Sequence, residues 1–127
     1  MADAYSECVR DHFERPRRVG RLKDPSAVGQ VENPVSGASL ILQLIISRNV
    51  ISDAAFQAQG CAATIACGSM LANMLVDKPL HWARVLTRDD VEEALGGLPA
   101  TRKHAADLAI DGLRTALRDY DCRDSAK

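Results

Sequence analysis

Aromatic residues are scarce in this sequence: one Trp, two Tyr and two Phe make up 4% of its 127 residues. Its core must therefore be assembled mainly from Ala, Leu, Val and Ile. Neither charge is in excess, because 16 Lys and Arg face 17 Asp and Glu for a net charge of −1. That balance excludes the basic footprint of a dedicated nucleic-acid binder. The four cysteines, Cys8, Cys61, Cys67 and Cys122, contain no C-x-x-C pair, which excludes zinc-ribbon and thioredoxin motifs. There is no internal repeat, no low-complexity tract and no paired-carboxylate or Ser/His/Asp arrangement with a defensible geometry, so no enzyme activity is expected. The longest uncharged stretch, residues 54–76, is broken by Gln57, Gln59, Gly60 and Asn73 and reads as strand, turn and buried helix rather than a membrane span. The opening Met-Ala-Asp-Ala-Tyr lacks a basic start followed by an apolar core, and free thiols suit a reducing compartment. A cytoplasmic location is the expectation.

What is present is one domain's worth of chain, 1–127, long enough to bury a core without disulfides or a structural metal. Asp3 is positioned to cap a short helix with Tyr5, Cys8, Val9, His12 and Phe13 on one face, and Pro16 stops it. Residues 15–26 are basic and loop-like. Residues 27–32 read as a strand, residues 40–46 as a second, and residues 50–58 as its antiparallel partner across a short Arg48-Asn49 turn. Residues 62–76 are helical, as are 88–95 between Thr87 and Gly96-Gly97. Pro99 suits the first turn of a last helix, whose apolar stripe runs through Ala105, Leu108, Ala109, Gly112, Leu113, Ala116, Leu117 and Tyr120. Residues 121–127 read as a frayed tail. The sum is an α+β fold: a three-stranded antiparallel sheet with an N-terminal helix and C-terminal helices packed on one face.

Cys61 has the strongest chemical case. It follows Gly60 where a helix begins, so unpaired backbone N–H groups and the helix dipole favour its thiolate, a better nucleophile and metal ligand. The residues alone leave this open against a small buried hydrophobe at a strand–helix corner. Cys67 lies about 120° further round the helix, with Thr64, Met70, Leu71 and Met74, and reads as a core thiol. Cys8 reads as packing and Cys122 as exposed. His104 sits one residue off the last helix's apolar stripe, where a ligand or proton carrier would sit. His12 reads as satisfied core, His81 as part of a connector, and the arginines at 15–21 as a solvated loop.

Tyr5-Ser6-Glu7, Asp11-His12-Phe13, Pro16-Arg17 and Val19-Gly20 resemble the opening of the NifU/IscU iron–sulfur cluster scaffold family. Asn33-Pro34-Val35-x-Gly37 is similar to that family's first site loop. Ile51-x-Asp53-Ala54-x-Phe56 with Gly60-Cys61-Ala62-Ala63 resembles its second, and Leu98-Pro99 with Arg102-x-His104 its third. The resemblance implies a SufE/NifU-like fold, iron, zinc or an iron–sulfur cluster as cargo, a cysteine desulfurase as partner, and a monomer or weak homodimer. It also implies three cysteine ligands, an aspartate and a histidine. Here the first and third cysteine positions hold Ser36 and Ala105, and the aspartate position holds Ala38. Cys61 and His104 are the metal ligands that remain. The implied function is a cluster-assembly scaffold binding iron or a labile cluster weakly through that reduced set. A SufE-like persulfide acceptor using Cys61 and a partner-binding protein without a cluster site are the alternatives.

Overall fold

The computed structural model describes residues 5–125. Helix α1 (Glu7–Glu14) precedes strands β1 (Ala27–Glu32), β2 (Ser39–Ser47) and β3 (Val50–Gln59). Four helices follow: α2 (Ala62–Leu75), α3 (Leu80–Arg84), α4 (Arg88–Ala94) and α5 (His104–Ser125), with a 3-10 turn over Ala100–Arg102 before the last. The strands form one antiparallel sheet in the order β1-β2-β3.

β2 alternates strictly, with Leu40, Leu42, Leu44 and Ile46 buried and Ile41, Gln43 and Ile45 half-buried on the other face. Each fully buried leucine contributes about 1.5–3 kcal/mol of apolar burial. The β2–β3 turn puts both Arg48 (φ 54°) and Asn49 (φ 63°) in the left-handed region, the signature of a two-residue type I′ hairpin. The outer edge of β3 is covered by the segment after α1: Gly20 N donates to Phe56 O and Phe56 N to Arg18 O, both at 2.9 Å. On β1, the Val28 N–H donates to the Asp119 carboxylate at 2.9 Å. Both contacts blunt sheet edges that would otherwise pair with another chain.

α5 packs over β1 and β2, and α2 over β3, so the buried face of the sheet is roofed by two helices. The α5–β1 contact is backbone to backbone. A Cβ on Gly29 would lie 2.1 Å from Gly112 O and 2.6 Å from Ala116 N, so no side chain fits. α2 is apolar on nearly all sides because α1, α4, α5 and β3 all pack against it. Among the described residues, no helix is long and apolar enough to cross a membrane.

Several boundaries differ from the sequence expectation. Asp3 lies outside the described residues, and α1 is capped by Ser6, whose hydroxyl accepts from Val9 N at 3.1 Å. His81 belongs to the short helix α3 rather than a connector. Pro99 precedes the 3-10 turn, and α5 itself starts at His104, five residues later. Residues 121–125 of the expected tail are helical. The helix continues to Ser125, tied down where Arg84 grips Asp121 through two hydrogen bonds and Arg123 donates to Pro25 O. The basic stretch after α1 is a solvated loop as expected, in which Arg15 and Arg17 pair with Asp11, and Arg18 with Asp53.

Candidate functional site

Two backbone segments meet at the end of the sheet where β1 finishes and α2 starts, and a third lies near enough for the Arg102 charge to act on Cys61. The first is the β1–β2 loop. Asn33 shapes it by accepting from the Val35 and Ser36 N–H groups, at 2.9 and 3.3 Å, through its side-chain oxygen. Its backbone carbonyl accepts from Gly37 N at 2.8 Å. This turn pushes Val35 into solvent, 96% exposed. The Ser36 hydroxyl faces back into its own loop and accepts from Ala38 N at 3.2 Å. Ala38 is buried.

The second segment is Gly60-Cys61. Gly60 has φ +147°, and a Cβ there would lie 2.8 Å from Thr64 Oγ1 and 3.1 Å from Ala38 Cβ, so only glycine fits. This close approach places Cys61 at the N-cap of α2 in extended conformation, with its carbonyl accepting from Thr64 N and Ile65 N. It is in no disulfide, and its thiol is half-buried. Sγ lies 3.6 Å from Thr64 Oγ1. Burial pushes the thiol up, but the Thr64 hydroxyl, the Thr64 and Ala63 backbone N–H groups and the Arg102 charge outweigh it. The net result is a thiol held below its ordinary value.

The third segment is the start of α5. Arg102 ends the 3-10 turn, His104 is half-buried as the first residue of α5, and Ala105 is buried with 1% exposure. Cys67 lies deeper along α2, fully buried, and burial, Cys61 and Glu92 push it up to about 12. It is an inert core thiol. Cys8 is half-buried against Ala94 O and Cys122 is exposed. His12 is satisfied core: Nδ1 lies 2.7 Å from the Ser69 hydroxyl, which also accepts from Arg17 N at 2.9 Å.

The donor set at this end is short for a cluster. Ser36 offers a hydroxyl occupied within its own loop, while Ala38 and Ala105 offer only hydrocarbon. Among the described residues, no group of three or more His, Cys, Asp or Glu side chains is placed to hold a metal ion. A closed tetrahedral metal site takes four donors, and an iron–sulfur cluster usually takes four thiolates. The residues present therefore do not make a closed cluster site within one chain.

Two features escaped the sequence reading. Thr64, three residues beyond the N-cap, carries a readable spacing signal as a partner for the thiol. Glu92 carries none: it is buried on α4, and Lys103, 3.1 Å away, comes from the far side of the 3-10 turn.

Residues 4–127 match the sequence model of the NifU-like N terminal domain family. The chain is 47% identical over 116 residues to iron-sulfur cluster assembly scaffold protein IscU 1 of Archaeoglobus fulgidus, covering 91% of this chain and 76% of that protein. It is 34% identical over 128 residues to the scaffold protein IscU of Escherichia coli K12, covering 98% of this chain and 99% of that one. A NifU-like N-terminal protein from Brucella abortus superimposes with a TM-score of 0.75 at 19% identity, covering 93% and 94% of the two chains.

Proposed function

Because this chain belongs to the NifU/IscU family, we propose that it serves in iron–sulfur cluster assembly as a scaffold-type protein whose one reactive group is Cys61. The observation that carries the reading is the Cys61 thiol itself, half-buried at the start of α2 and held toward thiolate by Thr64, backbone N–H groups and Arg102. Iron or a labile cluster is the cargo, held weakly by Cys61 and His104, with the remaining positions filled from outside the chain. A cysteine desulfurase is the partner that supplies sulfur. The protein turns over no substrate of its own.

Anaerobic incubation with ferrous iron, sulfide and reductant tests this directly. The expected outcome is weak iron binding that a chelator strips easily and that both Cys61→Ser and His104→Ala abolish. Binding that survives both substitutions would remove these residues from the site.

The lowered thiol favours a second reading, a persulfide acceptor. The Cys61 thiolate attacks the outer sulfur of a persulfide on the desulfurase. One S–S bond forms at Cys61 while the donor's S–S bond breaks, and the donor cysteine leaves as thiolate with no net oxidation. Incubation with a desulfurase and cysteine should then add one sulfur mass at Cys61, and an unchanged mass would reject it.

A further inference from the structure

The cations of this chain are distributed unevenly between paired and unpaired states. Several cations are matched: Arg15 and Arg17 with Asp11, Arg18 with Asp53, Arg88 with Asp107 and Lys103 with Glu92, whereas Arg10 on α1 has no ion pair among the described residues. At the opposite end of α2, Arg84 is paired with Asp121 and Arg123 with Asp119, and further arginines gather beside them. Two adjoining clefts of about 300 and 400 Å³ meet at Arg84. One is lined by Arg84, Arg114, Leu117, Arg118 and Asp121, and the other includes Arg48, Val50, Leu80 and His81. Arg48, Arg114 and Arg118 are exposed and none forms an ion pair among the described residues, although Arg114 donates to Leu86 O at 3.4 Å. Among the described residues, Asp121 is the only acid lining either cleft.

We infer that this pole is a docking surface for an extended acidic segment of a protein partner, with carboxylates at alternate positions seated on Arg114 and Arg118.

Three observations support that occupant. Asp121 already shows how a carboxylate sits here, because Arg84 donates to both its oxygens, at 3.0 and 2.8 Å. This forked geometry is what guanidinium offers a carboxylate and what lysine cannot match. The spacing is the second. Arg114 and Arg118 stand one helical turn apart on the same face of α5, a rise of about 6 Å. Alternate residues of an extended chain point to one side at about 6.6 Å, so every second side chain of such a segment meets the next arginine. The third is the apolar floor. Exposed Val50 supplies it in the second cleft, above the buried Leu80.

Arg48 adds a local cost to this picture. It occupies the left-handed region, where an arginine is strained and glycine or asparagine is at ease, yet the hairpin turn there displays a guanidinium into the second cleft.

The test uses the whole chain and a synthetic peptide of alternating glutamate and serine with one central leucine, followed by fluorescence polarisation and backbone amide NMR. Binding should perturb the amides of Arg48, His81, Arg84, Arg114 and Arg118 and weaken steeply with salt. Arg114→Glu with Arg118→Glu should lower affinity at least ten-fold, while Asp121→Asn, which frees Arg84, should raise it about three-fold. Arg10→Glu, on α1, should leave it unchanged. The NMR mapping needs no variant, so misfolding of one would not blunt the test. No binding at millimolar peptide, or perturbations scattered over the surface, would overturn the proposal. So would tighter binding of an oligothymidylate of equal charge at the same residues, which would make the surface a nucleic-acid site.

Discussion

Lys103 Nζ lies 3.1 Å from Glu92 Oε2, while the other oxygen of that carboxylate, Oε1, is buried without a partner among the described residues. The pair ties α4 to the segment that carries Arg102 and His104. Glu92 is 8% exposed, and the Lys103 side chain is 48% exposed. The two ends of this ion pair are thus not equivalent.

Removing the lysine strands a buried carboxylate, whereas removing the glutamate releases a lysine into water. Lys103→Met should therefore cost about 2 kcal/mol. Glu92→Leu, which also eliminates the unpartnered oxygen, should fall within about 1 kcal/mol of neutral or stabilise. Urea unfolding of both single variants and the double variant measures the difference and the coupling. Equal losses in the two single variants would contradict the asymmetry.

Alkylation should separate the cysteines by environment. Cys61 should half-titrate below the usual free-thiol value of about 8.5, and Cys67, pushed up to about 12, should stay unmodified while the protein is folded. Thr64→Val removes the hydroxyl beside Sγ and should slow Cys61 alkylation at neutral pH roughly three-fold. Peptide-resolved mass spectrometry after timed iodoacetamide exposure reads each thiol separately. Faster labelling of Cys67 than of Cys61 would reverse this assignment.

His12 makes stability depend on pH. Burial and then the Arg17 charge hold its value down, opposed by Asp11. The unfolded chain therefore takes up a proton at higher pH than the folded one. The contribution of neutral His12 is complete above about pH 6.5 and is lost as pH falls from there through the folded-state value. Denaturation midpoints should fall between pH 7.5 and 5.5, and His12→Gln should flatten that slope. An unchanged slope in the variant would point to another titrating group.

Gly29→Ala should be among the most damaging single-methyl additions in the molecule, because the new carbon meets α5 backbone rather than a movable side chain. A loss of about 3 kcal/mol or more is expected by thermal or urea unfolding. Gly37→Ala, with open space around its Cβ and a positive φ, should cost only about 1 kcal/mol for backbone strain.

Restoring the missing donors tests the site assignment from the other side. The combined Ser36→Cys, Ala38→Asp and Ala105→Cys variant should gain a coloured, chelator-resistant cluster in the anaerobic incubation that leaves the unmodified chain weakly loaded. A colourless variant would show that the surrounding segments, and not only the donors, depart from a working site.

Strands were legible because their burial is periodic along the chain. β1 matches its sequence span, Ala27–Glu32, and β2 and β3 extend theirs by one or two residues. Cys61 was legible from Gly60 before it and a proline-free run after it. α3 was not, because five residues without a side-chain cap carry too little pattern to register as a helix. The start of α5 was misplaced because Pro99 fits a 3-10 turn as readily as a helix. Glu92 was invisible because its environment is assembled from α4 and the segment after the 3-10 turn, which no local spacing reports.

Helix α2 has 14 residues, a length of about 21 Å, and it separates the Cys61 thiol from the arginine-lined clefts. The proposed acidic segment and a sulfur donor would thus engage opposite ends of that helix. A donor anchored through an acidic tether at the arginine pole would hold its reactive sulfur near Cys61 at the millimolar local concentrations typical of short flexible linkers. A tether of six or seven extended residues is the shortest that spans the helix at about 3.3 Å per residue. That minimum length turns α2 into a ruler, and shortening the tether below it should abolish delivery while leaving anchoring intact.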